Sequence, residues 1–526
     1  MDYNVIGGRR KDKSLHGYVI GHDIGTGGCK SVLATTGGEL LARSFEPYPI
    51  YHPRPNWAEQ DPGDWWRATA SATRRMMGES GIDPGRVVGL GFAGQMLGIV
   101  PVGGEGAPLC RAIIWLDSRA DEQAARIIRR FGGRRVVIRV AGAEPSGKDV
   151  ICKLAWLREN EPELFRSTRC FLDATGYLVH RATGEMAMDH TGAGGTGILA
   201  GRRREWSRPL ARLVGLDLEK MPPIRSSIDV VGTLREEAAR EMGLDAGTPV
   251  IAGMSDIPAA AAGSGALDDG DAHINIGTSS WLCLSVSRPR NLGRNGIAPV
   301  VSADPDMYLM IGESETAGAC LEWFAGNLYP PDAMGREDGE GDVFRALDGI
   351  VVGTGPGAGR MLFAPWMFGE RSPVTDTSVR ASFVNLSLEH GRDHMLRAIY
   401  EGVAFNLRWL LDAAAGAGFA CDPLRAIGGG AKSDVWMQII ADVTRRRVEA
   451  VEHPQEAGAM GCALAAALAV GERGSFRLIK EAVRVRKSFE PRPDCCPIYD
   501  ELYGAFRCLY PRLSGACARL NRAAAR

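Results

Sequence analysis

The sequence predicts an α/β protein built as two related domains flanking a central cleft, and three observations carry that prediction. The chain has 526 residues, more than one hydrophobic core usually supports, so two domains of roughly 200–280 residues are expected. Short β-branched runs alternate with stretches of helical spacing along its length. The triplet Ile-Gly-Thr sits in a turn between two strand-like runs twice, within His22 to Gly27 and within Ile274 to Ser279. That recurrence reads as an internal repeat marking the start of each half.

The elements follow in order. Residues 1–16 carry basic side chains but no apolar block of the secretory type, and are expected to be a disordered tail. Tyr18 to Ile24 and Cys29 to Thr35 read as strands around the turn Gly25 to Gly28. Leu40 to Phe45 adds a third strand and Trp65 to Met77 the first helix, an opening of βββα. Ala272 to Ile276 and Trp281 to Val286 repeat the hairpin around Gly277 to Ser279. The polar tetrapeptide Leu267-Asp268-Asp269-Gly270 suits a domain joint, giving domains 17–267 and 268–513 with a C-terminal tail, 514–526. In the second domain Leu396, Ile399, Val403, Leu407 and Leu410 lie at helical spacing, and Val435 to Val443 follows a Gly-Gly-Gly turn.

Composition narrows the function. Lys plus Arg total 62 against 63 for Asp plus Glu, so there is no basic excess to hold a nucleic-acid backbone. The small-residue run Ala457 to Val470 is too short to cross a bilayer about 30 Å thick, and no membrane contact is expected. Twelve cysteines without a CxxC pair read as reduced thiols of a cytoplasmic protein. The nine histidines show no metalloprotease spacing.

Several clusters can carry chemistry. Glycine turns between strands expose backbone N–H groups that, with a hydroxyl beside them, can accept phosphate oxygens. The first holds Gly25, Thr26 and Gly27, with Lys30 after it, and the second Gly277 and Thr278. Either turn alone is read equally well as a plain hairpin. Asp23 is an acidic residue inside an apolar strand, and is assigned to Mg²⁺ through water. Asp256 precedes Pro258 and an Ala-rich helix, so by default it is the N-cap. Its place just before the second phosphate turn makes it a candidate base for a sugar hydroxyl. Gly428 to Asp434 lies between a strand and a helix, with three glycines that let a flat adenosine approach the backbone. Gly142 to Lys148 matches P-loop spacing, but Asp149 stands where Ser or Thr would hold Mg²⁺, so it is read as a surface loop.

With these residues on the page, the chain resembles the FGGY carbohydrate kinases, and most closely their xylulokinase branch, from Tyr18 to about Leu513. The matching segments are His22 to Thr26 with Lys30, Trp57 to Pro62 with Trp65-Trp66, Gly94-Gln95-Met96, Trp115 to Arg119, Gly277 to Ser279, Gly369 to Pro373, Gly428 to Ser433, and Glu456 to Ala459. The resemblance implies two duplicated ribonuclease-H-like domains of the actin and hexokinase type. It implies Asp256 as general base, the sugar against Gln95, Met96 and Trp115, and phosphates on Thr26, Gly27, Lys30, Gly277 and Thr278. Adenosine would lie near Gly429, Gly430, Ala431 and Asp434. ATP with Mg²⁺ and a small sugar are the implied ligands, with a ketopentose such as xylulose first and ribulose, erythritol or glycerol types as alternatives. A homodimer is compatible with the sequence, which does not specify the assembly. Two departures bear on the sugar: Leu97 stands where this branch usually has His, and Ile257 where it usually has Asn. Glu313 and Glu315 read as a solvated strand end. An actin-like ATPase and a non-catalytic sugar sensor are the competing classes.

Overall fold

The computed structural model describes residues 17–141, 144–200, 204–329, 343–471 and 475–522. The expected tail 1–16 lies outside them. Two compact units result: the first runs through Leu267 and also takes in Val300–Leu309 and Glu456–Val483, and the second holds the rest. Two later segments thus pack with the first unit although both follow residue 267 in the chain.

The first unit opens as the apolar alternation requires, with β1 (Tyr18–Ile24), β2 (Gly28–Thr35) and β3 (Leu40–Pro47) followed by helix α1 (Pro62–Ser80). Asp61 caps α1 by accepting from Gly63 N at 2.8 Å, and Gly81 ends it in the left-handed region. Strand β4 (Val87–Gly94) pairs parallel to β1. Helices α2 (Val150–Asn160), α3 (Ala174–Thr183) and α4 (His190–Gly195) follow, then β5 (Val230–Thr233), β6 (Pro249–Ile251), the two-residue β7 (Met254–Ser255) and α5 (Asp256–Ser264). The sheet order is β5-β6-β4-β1-β2-β3, with β7 also paired to β4. One face buries Ile20, Ile24, Leu33, Phe92 and Trp65, and the other Val19, Val32 and Ala93. Burying such a side chain stabilises by about 1.5–3 kcal/mol, which selects the register because a one-residue slip would exchange the two faces.

The second unit repeats this plan. Its sheet contains β8 (Ala272–Ile276), β9 (Ser280–Val286), β10 (Ile297–Val301) and β11 (Tyr308–Ser314). Helices α6 (Gly318–Leu328) and α7 (Arg392–Gly416) lead to β12 (Leu424–Ile427), α8 (Asp434–Thr444) and β13 (Val448–Val451). The chain then returns to the first unit through α9 (Ala457–Val470) before β14 (Val485–Phe489) and α10 (Leu509–Arg522) finish the second. The strand order is β10-β11-β9-β8-β12-β13-β14. In both sheets the first strand of the repeated hairpin is antiparallel to its successor and parallel to the strand on its other side. Residues 514–522, read from sequence as a tail, continue α10, where Cys517 is buried and Asn521 donates to Ser378 O at 2.8 Å.

The run Ala457 to Val470 is a core helix of the first unit, and among the described residues no helix is long and apolar enough to cross a membrane. Its small side chains let it lie directly on β1 and α5. A Cβ on Gly461 would fall 2.1 Å from Ala259 O, and one on Gly21 of β1 would fall 2.1 Å from Ala459 O.

Candidate active site

The parallel register of the first sheet gathers the sugar-side candidates. Asp23 pairs with Ala93 and Ile24 with Gly94 across β1 and β4, while Met254 pairs with Ala93 and Ser255 with Gly94 across β7 and β4. Asp23, Gln95 and Asp256 therefore stand at or just beyond the carboxyl ends of three adjoining parallel strands, where open α/β sheets present ligand-binding groups.

Asp256 opens α5, and Ser255 occupies the cap position assigned to Asp256 from sequence. Asp256 Oδ1 accepts from the neighbouring Ile257 N at 2.9 Å. The strand beneath is held by side chains: Ser255 N donates to Thr191 Oγ1 at 2.8 Å and Thr175 Oγ1 to Met254 O at 3.1 Å.

Asp23 faces α9, where a Cβ on Gly458 would lie 2.6 Å from its Oδ2. Burial raises its pKa, and the one nearby charge that opposes this is Lys30, its cross-strand partner in β2. A half-buried carboxylate so placed fits a hydrated divalent cation, which would supply the missing positive charge. Among the described residues no cluster of three or more His, Cys, Asp or Glu could hold a metal alone, so phosphate and water oxygens would complete the shell. Lys30 itself is exposed.

The turn after β1 is braced by two amides, the predicted Gln95 and Gln60, which sequence reading gave no role of its own. Gln60 Nε2 donates to Thr26 O at 2.7 Å, and Gln60 Oε1 accepts from Gln95 Nε2 at 2.6 Å and from Trp65 Nε1 at 3.1 Å. Trp115 Nε1 donates to Thr26 Oγ1 at 2.9 Å. Four predicted or adjacent residues, Thr26, Gln60, Gln95 and Trp115, thus form one network. Gln60 is fully buried, and a polar side chain in the segment Trp57 to Pro62 was the available signal for it. Gln95 Oε1 is buried without a hydrogen-bond partner, an acceptor that a substrate hydroxyl would satisfy. Met96 is half-buried beside Gly195 of α4.

The nucleotide-side candidates lie at the matching end of the second sheet, where Asn275 of β8 pairs with Ile427 of β12. Gly277-Thr278 and Gly428 to Ala431 therefore emerge side by side. Thr278 O accepts from Ala317 N at 2.9 Å and Ala319 N at 3.1 Å, at the start of α6. Gly428 has φ of 86°, and a Cβ there would fall 2.5 Å from Ile276 O, so only glycine fits. Asp434 begins α8 and pairs with Arg486 and Lys487, each at 2.7 Å, which hold its pKa down once hydrogen bonds outweigh burial. Arg486 also donates to Ala431 O at 3.3 Å. Glu313 and Glu315 are ion-paired to Arg371, which replaces their reading as a solvated strand end. The P-loop lookalike is a capped turn within its described part: Ser146 N donates to Asp149 Oδ2 at 2.6 Å ahead of α2.

Comparison with known proteins gives the family. The model for the N-terminal domain of the FGGY family of carbohydrate kinases matches residues 18–263, and that for the C-terminal domain residues 272–470. A xylulose kinase of Bacillus subtilis (strain 168) is 31% identical over 94% of this chain and 96% of its own length. The crystal structure of a "xyloylose kinase" from Brucella ovis superposes with TM-score 0.83 at 28% identity, covering 95% of this chain and 100% of that one. A gluconate kinase from Lactobacillus acidophilus superposes with TM-score 0.85 at 25% identity, covering 96% and 99%. The chain, with its duplicated sheet and repeated glycine-threonine turn, belongs to the FGGY family of carbohydrate kinases and is an ATP-dependent sugar kinase.

Proposed function

We propose that the protein transfers the γ-phosphoryl group of ATP to a hydroxyl of a ketopentose, with xylulose the first candidate. The observation that carries this reading is the convergence of Asp23, Gln95 and Asp256 at the ends of three adjoining strands, with Trp115 tied to the same turn through Thr26. Asp256 takes the proton of the attacking hydroxyl, a role that adds on the order of 10²–10⁴ in rate. Gln95, Met96 and Trp115 orient the sugar. Thr26, Gly27, Lys30, Gly277 and Thr278 receive phosphate oxygens through backbone N–H, hydroxyl and ammonium groups. Gly429, Gly430 and Ala431 face the adenosine, and Asp434 fixes Arg486 beside them. Asp23 holds Mg²⁺, which when bound neutralises charge on the phosphates. A cytoplasmic setting suits the twelve free cysteines.

A second reading, a kinase of a sugar acid or short polyol, is favoured by the gluconate kinase likeness and by Leu97 and Ile257. These two apolar side chains remove hydrogen-bond partners, worth about 1–3 kcal/mol each in a closed site. A coupled ADP-release assay with D-xylulose, D-ribulose, gluconate, erythritol and glycerol separates the two. One ketopentose should exceed all others in kcat/KM by at least ~10-fold. Turnover of gluconate alone would replace the assignment, and ADP release indifferent to every sugar would point to an ATPase.

A further inference from the structure

Lys153 is fully buried in α2, a helix of the first unit whose Ile151 and Leu154 share an apolar cluster with Ile99 and Ile113. Its Nζ donates to Leu97 O at 2.7 Å and Ile114 O at 2.8 Å. Among the described residues no carboxylate lies within ion-pair distance of it. Asp117 is already held by Arg119 and by Ala58 N, and Asp149 accepts from Ser146 N. An ammonium buried against two neutral carbonyls is unfavourable for stability beside a methionine of similar volume, so stability alone does not account for it.

The two carbonyls explain the charge. Leu97 follows Gln95 and Met96 directly, and Ile114 precedes Trp115, so one side chain joins the main chains of both sugar-side segments. Leu97 also has φ of 61°, a left-handed conformation that a leucine holds only when its surroundings enforce it. The same helix start adds Lys148, whose Nζ lies 5.7 Å from the Trp115 ring centroid. We infer that Lys153 is a positioning residue for the sugar: its ammonium ties the turn bearing Gln95 and Met96 to the segment bearing Trp115 and so sets their spacing. This rests on the sugar-side reading of those three residues. Desolvation pushes the Lys153 pKa down to about 7, against the favourable charges of Asp117 and Asp149 and with Arg119 and Lys148 adding to the depression.

The test uses the intact protein with Lys153→Met. The KM for D-xylulose should rise at least ~10-fold while the KM for ATP stays within about twofold, because only the sugar side is loosened. Hydrogen exchange should quicken in peptides covering Gln95 to Ile99 and Ile113 to Asp117 and remain unchanged in those covering Gly277 to Ser279. If the Met variant does not fold, Lys153→Arg decides: its bulkier guanidinium displaces the two carbonyls and should give the same split. A folded variant with wild-type sugar KM, or with both KM values raised together, overturns the inference. If wild-type protein does not turn over D-xylulose, the sugar assignment fails, and the exchange pattern still decides the role of Lys153.

Discussion

The two repeated hairpins share turn length and topology but are supported in opposite ways. In the first, Thr26 is gripped by side chains, its carbonyl by Gln60 and its hydroxyl by Trp115. In the second, the carbonyl of Thr278 is held by the main chain at the start of α6, and the residue itself is exposed. The position of Asp23 is taken by Asn275, so the acidic side chain occurs in one copy only. A duplicated frame thus keeps its turn geometry through backbone bonds that any sequence can make. It differentiates through the side chains that reach the turn, and on the proposed function those would decide which copy handles a metal and a reacting alcohol.

Substitutions can break that contrast in order of effect. Asp256→Asn should retain ATP binding and lose turnover by at least ~100-fold, read as kcat with ATP affinity measured separately. Asp23→Asn should lower kcat by about 100-fold as a transition-state charge partner is lost, and raise the Mg²⁺ needed for half-maximal rate. The mirror change Asn275→Asp should cost less than ~10-fold, and an equal loss from both would erase the asymmetry. Gly461→Ala places a methyl against Ala259 O and should lower stability by about 1–3 kcal/mol in a denaturant titration, with kcat falling too because α9 backs both Asp23 and Asp256.

A separate effect concerns pH. Burial raises the pKa of Glu370 from 4.5 to about 8, with Arg371 N, Glu315 N and Asn406 Nδ2 bonded to its carboxyl oxygens. The folded protein keeps a proton that the unfolded chain releases, so stability falls as pH rises from 4.5 towards about 8 and levels off above it. Glu370→Gln should flatten that slope in melting temperatures taken across this range.

Much of this was legible in the chain itself. The opening βββα, the repeated turn and the helices around Leu396 to Leu410 and Val435 to Val443 follow from apolar spacing, which is local. Asp23 stood out because an acid in an apolar strand is unusual. What spacing does not carry is long-range contact. Gln60 reaches Thr26, Gln95 and Trp65 only after folding, Lys153 bridges residues about 40 and 56 positions away, and Ser255 rather than Asp256 takes the cap because β7 pairs with β4. The run Ala457 to Val470 announced only that it was apolar and short, since its packing partners lie hundreds of residues earlier.

That late helix has a consequence for synthesis. A ribosome releases β1 and α5 long before it makes α9, so the surface carrying Gly21, Asp23 and Ala259 must wait uncovered while the second sheet is being translated. The earlier lobe is accordingly completed only after most of the later one has been made, and a fragment stopped at Leu267 would leave that apolar face open to self-association.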